Sequence, residues 1–451
     1  MEPCPTWERW TRALLLLGFV AVGIEHIHTN TIYGQDFLLH STSTEAIITD
    51  PGRWFPQDFT NRPLLYWLGA ACHWVTHGKG TWEVAGLVFV ALNTLALYLL
   101  HDTTRRFIRS PALRLAALGF VAFLPATQVA GIVYAADAIC QLPFVLLLWG
   151  LLRALEADGP RARLGYALVA GLAVTVGCFA RFTFLALLPA AAVVIVLAAR
   201  WRRVTWGQAA AIAALAVLAP ALPAGWLQHR AQQAFAAEPP HHQFDWHGTG
   251  EMTWSSLLLL KPADRHILDA PVYWDSEILE NRPRYSLLIN NRYSYPALLH
   301  LGTFTDVLDY ANDGEIDDGA PRPEPQKTLA RWSVRLGLPF SVAMLLATLA
   351  FAARAAYAVA RPAAAPSLGL TAWGLGALAW FLPIALSLPF LANAYDWGYW
   401  LSRLVIPALW GFGVVLFATV DERWPRARWL ANLLAGLVAV QALLHIRSLW
   451  Y

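Results

Sequence analysis

Residues 33–37, YGQDF, and residues 55–67, FPQDFTNRPLLYW, belong to one polar loop that follows a single hydrophobic segment. The loop holds two carboxylates, Asp36 and Asp58, among aromatic and proline residues that anchor it beside a bilayer. A carboxylate at a membrane surface is costly unless it stays hydrated, so acids held against lipid indicate function. The loop therefore predicts that the protein acts on a polar group that is attached to a lipid.

The composition predicts a polytopic membrane protein. Hydrophobic residues make up 57% of the 451 residues and charged residues only 14%, whereas soluble domains carry about 25% charged residues. The net charge of +3 is too small to indicate a nucleic acid partner. The four cysteines have neither a metal-ligand nor a CxxC spacing, so no disulfide framework is predicted.

The spacing of apolar segments predicts an all-α fold with about eleven transmembrane helices, because a helix needs about 20 apolar residues to cross a bilayer. The first segment, 13–24, lacks a signal-peptide cleavage site and is expected to stay as a helix. The short aromatic segment 63–75 is expected to lie in the outer interface instead of crossing. The other candidate spans are 82–100, 115–133, 138–152, 164–180, 183–199, 207–227, 334–353, 368–391, 404–420 and 430–445.

The arginines predict the topology. With the amino terminus inside, arginine clusters fall in alternate loops and the connections between them hold almost none. The first loop, 25–81, and the long segment 228–331 then lie outside, and the latter is long enough to form a small exterior domain. We expect a catalytic core over 1–227, this exterior loop domain, and C-terminal helices over 332–451. The alanine- and arginine-rich composition is typical of a bacterium of high GC content, so the bacterial inner membrane is the expected location.

Two arginines break the inside rule. Arg181 lies between two spans and Arg403 opens a span, and both fall at outer headgroup depth. Each could be a snorkelling cation on a lipid phosphate. Their position on the same side as the acidic loop favours a second interpretation, because arginine grips a phosphate through two parallel hydrogen bonds.

Three acids are candidates at the same face. Asp137 begins a span, where the helix dipole favours a carboxylate, and it could simply be solvated there. Asp58 could be a turn residue before Arg62. Asp36 is the sharpest candidate, because it follows Gly34 and Gln35 just beyond the first helix and lies among aromatics.

The sequence indicates no cofactor. The exterior residues His241, His242, His247 and Asp245 match no zinc template, and the acidic run 313–318 could bind a divalent cation or be a solvated loop. The chain has no phosphate-binding glycine loop, no Walker motif and no nucleophile elbow. Nucleotide hydrolysis and serine-triad chemistry are therefore not predicted.

The order of these features resembles the membrane glycosyltransferases of the GT-C class, which include bacterial protein O-mannosyltransferase relatives and the aminoarabinose transferase that modifies lipid A. Residues 34–37 match the acidic loop of that class, and residues 62–68 resemble its interfacial helix. Residues 134–137 resemble the step of small residues and Asp before a span. Residues 181–189 are similar to a basic-x-Thr-x-Leu…Pro segment, and residues 402–407 resemble a late Arg-Tyr-x-x-Pro segment with leucine in place of tyrosine.

The resemblance covers residues 10–200, and beyond them only the layout. Gln35-Asp36 stands where many relatives have Asp-Glu, the usual His-Pro-Pro is missing before the interfacial helix, and Arg181 stands where lysine is common. These departures bear on the sugar and the acceptor more than on the class of reaction.

The resemblance implies an inverting enzyme that transfers a sugar from a polyprenyl-phosphate donor to a lipid, glycan or protein acceptor at the outer membrane face. Asp36 would be the general base. Asp58, also at the catalytic site, and Asp137 would orient hydroxyl groups of the acceptor or the sugar. Arg181 and Arg403 would bind the departing lipid phosphate. Arg62 would also bind the substrate.

Two rival functions stay open. A lipid-linked-sugar flippase or transporter would need polar groups at the bilayer midplane. Here the polar groups within spans are few, chiefly Asn93 and Gln141, and the acids cluster at the outer edge. A polysaccharide polymerase or ligase would place its key residues in a late exterior loop, for which the segment 228–331 is available.

Overall fold

The computed structural model describes residues 5–28, 37–51, 63–237, 253–268, 293–305, 324–394, 402–423 and 428–448. Every regular element in these ranges is helical, which confirms the predicted all-α class. The helices are α1 Thr6–His28, α2 Phe37–Thr49, α3 Pro63–Thr76, α4 Thr81–Thr104, α5 Pro111–Ala122, α6 Pro125–Ala130, α7 Gln141–Glu156, α8 Pro160–Ala180, α9 Leu187–Arg200, α10 Trp206–Ala213, α11 Ala219–Ala237, α12 Trp254–Leu258, α13 Tyr295–Phe304, α14 Glu324–Ala360, α15 Leu368–Ala394, α16 Ile406–Arg423 and α17 Arg428–Ser448.

The helix lengths confirm a multi-pass membrane protein. In the part of the chain that the structure describes, eight helical segments are long and apolar enough to cross a membrane. Two shorter apolar helices, Pro111–Ala122 and Asn432–Arg447, accompany them. The total of about eleven spans stays a prediction. The eight segments are Thr6–His28, Thr81–Thr104, Ala136–Glu156, Pro160–Ala180, Phe182–Arg200, Trp206–Arg230, Thr328–Ala360 and Leu368–Ser387.

One predicted span is broken. Residues 115–133 were expected to form a single helix, but α5 ends at Ala122 and α6 begins at Pro125. Leu124 has an extended backbone with φ −61° and ψ 128°. Proline has no N–H to continue a helix and disfavours the helical conformation in the residue before it, so the chain separates into two helices here.

Helix α3 is too short to cross the membrane. Its 14 residues extend about 21 Å at about 1.5 Å per residue, against a hydrocarbon core of about 30 Å. It packs against α2, α4 and α8. This geometry agrees with the interfacial helix that the sequence predicts.

A buried ion pair joins α1 to α5 at the end of the bundle that the arginine pattern predicts to be inside. The Glu8 carboxylate is fully buried and accepts hydrogen bonds from Nε and Nη2 of Arg114, both at 2.7 Å. Such two-point arginine–carboxylate pairing is the strong form of the interaction. Beside it, the Asp421 carboxylate accepts hydrogen bonds from the backbone N–H groups of Arg109 and Ser110. The ends of α1, α5 and α16 are therefore fixed together at this face.

Candidate functional site

The structure describes part of the predicted site. Asp36, Asp58 and Arg62 lie outside the described residues. Arg403 belongs to a described 3₁₀ turn, Ser402–Val405, although only its backbone is described. Asp137 and Arg181 are described with their side chains.

Asp137 is buried. After α6, the chain turns at Gly131 and becomes extended at Ala135, with φ −144° and ψ 158°. A 3₁₀ turn, Ala136–Ile139, then leads into α7 and carries Asp137, whose side chain is only 4% exposed. The sequence left open a solvated acid at a helix N-terminus, and this burial excludes it. A buried carboxylate needs a partner, because transferring an unpaired charge out of water is very costly.

Arg181 supplies that partner. Helix α8 ends at Ala180, and Arg181 is extended, with φ −148° and ψ 143°. Its Nη2 lies 2.6 Å from Oδ1 of Asp137, and its side chain is 23% exposed. A 3₁₀ turn, Phe182–Ala186, follows and folds back over α8, which requires Gly177, because a Cβ there would collide with the ring of Phe184.

The ion pair with Asp137 leaves other N–H groups of Arg181 able to donate hydrogen bonds. A guanidinium has five N–H donors, and the contact to Asp137 is made through Nη2. Nε of Arg181 is buried and has no hydrogen-bond partner in the described part of the chain. The geometry therefore presents a partly exposed cation, held in place by a buried acid, that can still donate to an anion.

The segment that carries Asp137 is fastened by an asparagine. Nδ2 of Asn93, in α4, lies 3.0 Å from the carbonyl oxygen of Gly131 and 2.9 Å from that of Ala138. The two carbonyls flank Asp137, so one amide group fixes both ends of the segment. Sequence reasoning did not assign Asn93 a role in the site, although a polar side chain within an apolar span was the available signal.

Tyr134 joins the same segment to the short helices of the first loop. Its hydroxyl oxygen lies 2.7 Å from Oγ1 of Thr44, in α2, and 3.1 Å from the carbonyl oxygen of Leu65, in α3. Gly69 permits this approach, because a Cβ at that position would collide with the tyrosine hydroxyl. Burial raises the pKa of the Tyr134 phenol well above its ordinary value, so the group stays neutral. Helices α2 and α3 are thus docked directly on the segment that carries Asp137.

Trp380 connects the turns of the two predicted phosphate-binding arginines. Its indole ring packs edge-to-face on Phe184, three residues after Arg181, with ring centroids 4.9 Å apart. Its Nε1 donates a hydrogen bond of 2.9 Å to the carbonyl oxygen of Leu404, next to Arg403. One buried side chain in α15 therefore contacts both turns, through the ring of Phe184 in one and the backbone of Leu404 in the other. Nothing in the sequence pattern pointed to this role.

The predicted metal-binding clusters are not described. His241, His242, His247, Asp245 and the acidic run 313–318 lie outside the described residues. Within the described ranges, the structure groups no three histidine, cysteine, aspartate or glutamate side chains in a way that could hold a metal ion.

Comparison with known families confirms the resemblance seen in the sequence. Residues 60–224 match the family described as dolichyl-phosphate-mannose-protein mannosyltransferase. The matched segment begins just before α3 and contains both members of the Asp137–Arg181 pair. Comparison with curated proteins gives no significant match.

Several solved structures are similar to this chain. The oligosaccharyltransferase of Archaeoglobus fulgidus in the apo form shares 13% identity with a TM-score of 0.49, covering 98% of this chain and 56% of that one. The chain thus spans about half the length of that relative. ArnT from Cupriavidus metallidurans shares 15% identity in the apo state, with a TM-score of 0.33 and coverage of 85% and 71%. The same enzyme bound to undecaprenyl phosphate gives 15% identity, a TM-score of 0.35 and coverage of 90% and 77%.

Proposed function

We propose that this protein is a membrane glycosyltransferase that moves a sugar from a polyprenyl-phosphate donor to a lipid, glycan or protein acceptor. The observation that carries the proposal is the Asp137–Arg181 ion pair, which lies inside the segment matching the mannosyltransferase family. The description of that family names a sugar carried on a polyprenyl phosphate. An arginine held at a span boundary with an N–H group to spare suits the phosphate of such a donor.

Arg181 and Arg403 hold the departing lipid phosphate in this proposal. As the bond between the anomeric carbon and the phosphate oxygen breaks, negative charge grows on the phosphate, and fixed cations stabilise it. The contacts of Trp380 support the assignment, because they join the two turns that carry these arginines. Asp137 keeps the Arg181 guanidinium oriented and can also meet hydroxyl groups of the donor or the acceptor.

Asp36 is proposed as the general base. It takes the proton from an acceptor hydroxyl as that oxygen attacks the anomeric carbon, and the polyprenyl phosphate leaves with the bonding electron pair. Attack opposite to the leaving group inverts the configuration at that carbon. Asp58 orients the acceptor and Arg62 contacts the substrate. We place this chemistry at the outer face of the bacterial inner membrane, where the arginine pattern puts the first loop.

Transfer by the purified protein tests the proposal. The protein in lipid nanodiscs is given undecaprenyl phosphate carrying radiolabelled mannose or glucose, together with an extract of cell-envelope lipids and glycans as acceptor. We expect label to move to the acceptor with release of undecaprenyl phosphate. Arg181→Ala should strongly reduce transfer, while Arg203→Ala, at an exposed arginine in the loop between α9 and α10, serves as the matched control.

The rival functions give different products. Movement of the intact labelled lipid across liposome membranes without transfer would replace the proposal with a flippase. Extension of a lipid-linked glycan into a polymer, or its transfer as a block, would replace it with a polymerase or ligase. Glycan profiles of a deletion strain would then identify the acceptor.

A further inference from the structure

Gln141 is a buried polar residue that the proposed chemistry does not use. It is the first residue of α7 and is 1% exposed. Both atoms of its side-chain amide, Nε2 and Oε1, are buried and have no hydrogen-bond partner within the part of the chain that the structure describes. Native proteins satisfy nearly all buried polar groups, so an amide left with both atoms unpaired calls for an explanation such as a ligand.

The packing of α7 places Gln141 beside the candidate site. Phe144 lies one turn along the helix on the same face, with its ring centroid 5.9 Å from that of Trp380. Leu148, a further turn along, packs against Gly376 of the same helix, α15. Because residues three and seven positions apart share a helix face, Gln141 also faces α15.

Gln141 lies at the end of α7 that carries the ion pair. It follows Asp137 by a single turn, whereas Phe144 and Leu148 lead away from that pair. Trp380, on the same helix α15, contacts the turn that follows Arg181 through Phe184. It also contacts the turn that precedes α16 through the carbonyl oxygen of Leu404. The unpartnered amide therefore lies one helical turn from Asp137, on the face of α7 that packs against α15.

The chemistry of the amide selects the kind of group that it binds. Nε2 can only donate hydrogen bonds and Oε1 can only accept them. A phosphate without protons accepts only and would leave Oε1 unpaired, and a polyprenyl chain offers neither function. Sugar hydroxyl groups both donate and accept, and two neighbouring hydroxyls on one ring match the donor–acceptor pair of an amide.

We propose that Gln141 binds two hydroxyl groups of the sugar on the lipid donor and so reads the identity of that sugar. The inference rests on the proposed function, because it takes the lipid-linked sugar as the ligand. It adds a residue that discriminates between sugars, whereas Arg181 and Arg403 recognise the phosphate that all such donors share.

Paired affinity measurements test this role in the full-length protein in nanodiscs. Dissociation constants are measured for bare undecaprenyl phosphate, undecaprenyl phosphate mannose and undecaprenyl phosphate glucose. We expect the wild type to bind one of the sugar-bearing lipids more tightly than the bare lipid. Gln141→Leu should weaken binding of that lipid by about 10- to 100-fold, corresponding to two neutral hydrogen bonds, and leave binding of bare undecaprenyl phosphate unchanged.

A matched control separates recognition from packing. Thr348, in α14, also has a buried and unpartnered side-chain oxygen among the described residues. Thr348→Val should leave all three affinities unchanged. Both variants should melt at or above the temperature of the wild type, since each removes an unpaired buried polar group.

The outcomes distinguish the inference from the proposed function. If Gln141→Leu keeps the wild-type preference for the sugar-bearing lipid, or weakens all three lipids equally, the inference is overturned while sugar transfer by the wild type stands. Equal affinity of the wild type for all three lipids also overturns it. If the wild type neither binds these lipids nor transfers sugar from them, the proposed function itself fails.

Discussion

Arg181 Nη2 lies 2.6 Å from Asp137 Oδ1, and this contact joins the end of α8 to the segment that precedes α7. The acid is almost fully buried, whereas the arginine is partly exposed. The two charges therefore have unequal tasks. Asp137 neutralises and orients the guanidinium, while Arg181 stays partly exposed, so that a phosphate could contact it.

Removing the acid should destabilise the protein. Asp137→Ala leaves the guanidinium without its partner, and breaking a buried pair from one side costs about 3–5 kcal/mol. The partial exposure of Arg181 places the expected loss at the low end of that range. The free energy of unfolding, measured in mixed micelles, should fall less in the Asp137→Ala/Arg181→Ala double variant than the sum of the two single losses. Additive losses would show that the pair is not coupled.

Asp36 should carry the proton transfer. Asn is nearly isosteric with Asp but cannot take a proton at neutral pH, so Asp36→Asn should lower turnover by about 10²–10⁴-fold with donor binding close to wild type. Asp58→Asn and Asp137→Asn should cost less, because an amide can still orient a hydroxyl. An inactive Asp58→Asn beside an active Asp36→Asn would move the base to Asp58.

The two arginines should act on the donor phosphate. Arg181→Ala and Arg403→Ala should each raise KM for the lipid donor and lower kcat, because both cations meet charge that grows as the phosphate departs. Arg181→Lys should keep part of the activity, since lysine still offers a point charge. Steady-state kinetics with increasing donor concentration measure both parameters. Normal turnover in both alanine variants would leave the arginines as lipid-anchoring residues.

Trp380 should position the turn of Arg403. Trp380→Phe keeps an aromatic ring near Phe184 but removes the hydrogen bond to the carbonyl of Leu404. We expect about a tenfold loss in kcat/KM for the donor, which corresponds to a shift of about 1.4 kcal/mol. Trp373→Phe is the control, because Nε1 of Trp373 is buried without a hydrogen-bond partner in the described ranges. Equal effects of the two substitutions would remove the positioning role.

His300 should make the stability of the protein depend on pH. Burial in α13 lowers the pKa of its imidazole to about 4, and Nε2 lies 3.1 Å from the carbonyl oxygen of Val334. Below the ordinary histidine pKa of about 6.5, the imidazole is protonated in the unfolded chain but stays neutral in the folded protein. Stability should therefore be full above about pH 6.5 and fall as the pH decreases toward 4. His300→Gln should flatten this part of the melting-temperature profile, and an unchanged profile would contradict the assignment.

The helical class and most of the spans were predictable from the amino-acid sequence. A bilayer demands backbone hydrogen bonds within each crossing segment and about 20 apolar residues for its thickness, and both requirements can be read locally. The short length of α3 was readable for the same reason. The sequence also identified Asp137 and Arg181 as candidates, because charges beside apolar spans are conspicuous.

Which of these residues meet depends on the tertiary packing. The pairing of Asp137 with Arg181, the clamp of Asn93 and the contacts of Trp380 join segments that are distant along the chain. Apolar periodicity shows that a helix has a buried face, but many neighbours satisfy it equally well, so the partner is not encoded locally. The actual partners depend on how closely the helices pack, as at Gly69 and Gly177, and that packing brings two isolated charges together as an ion pair.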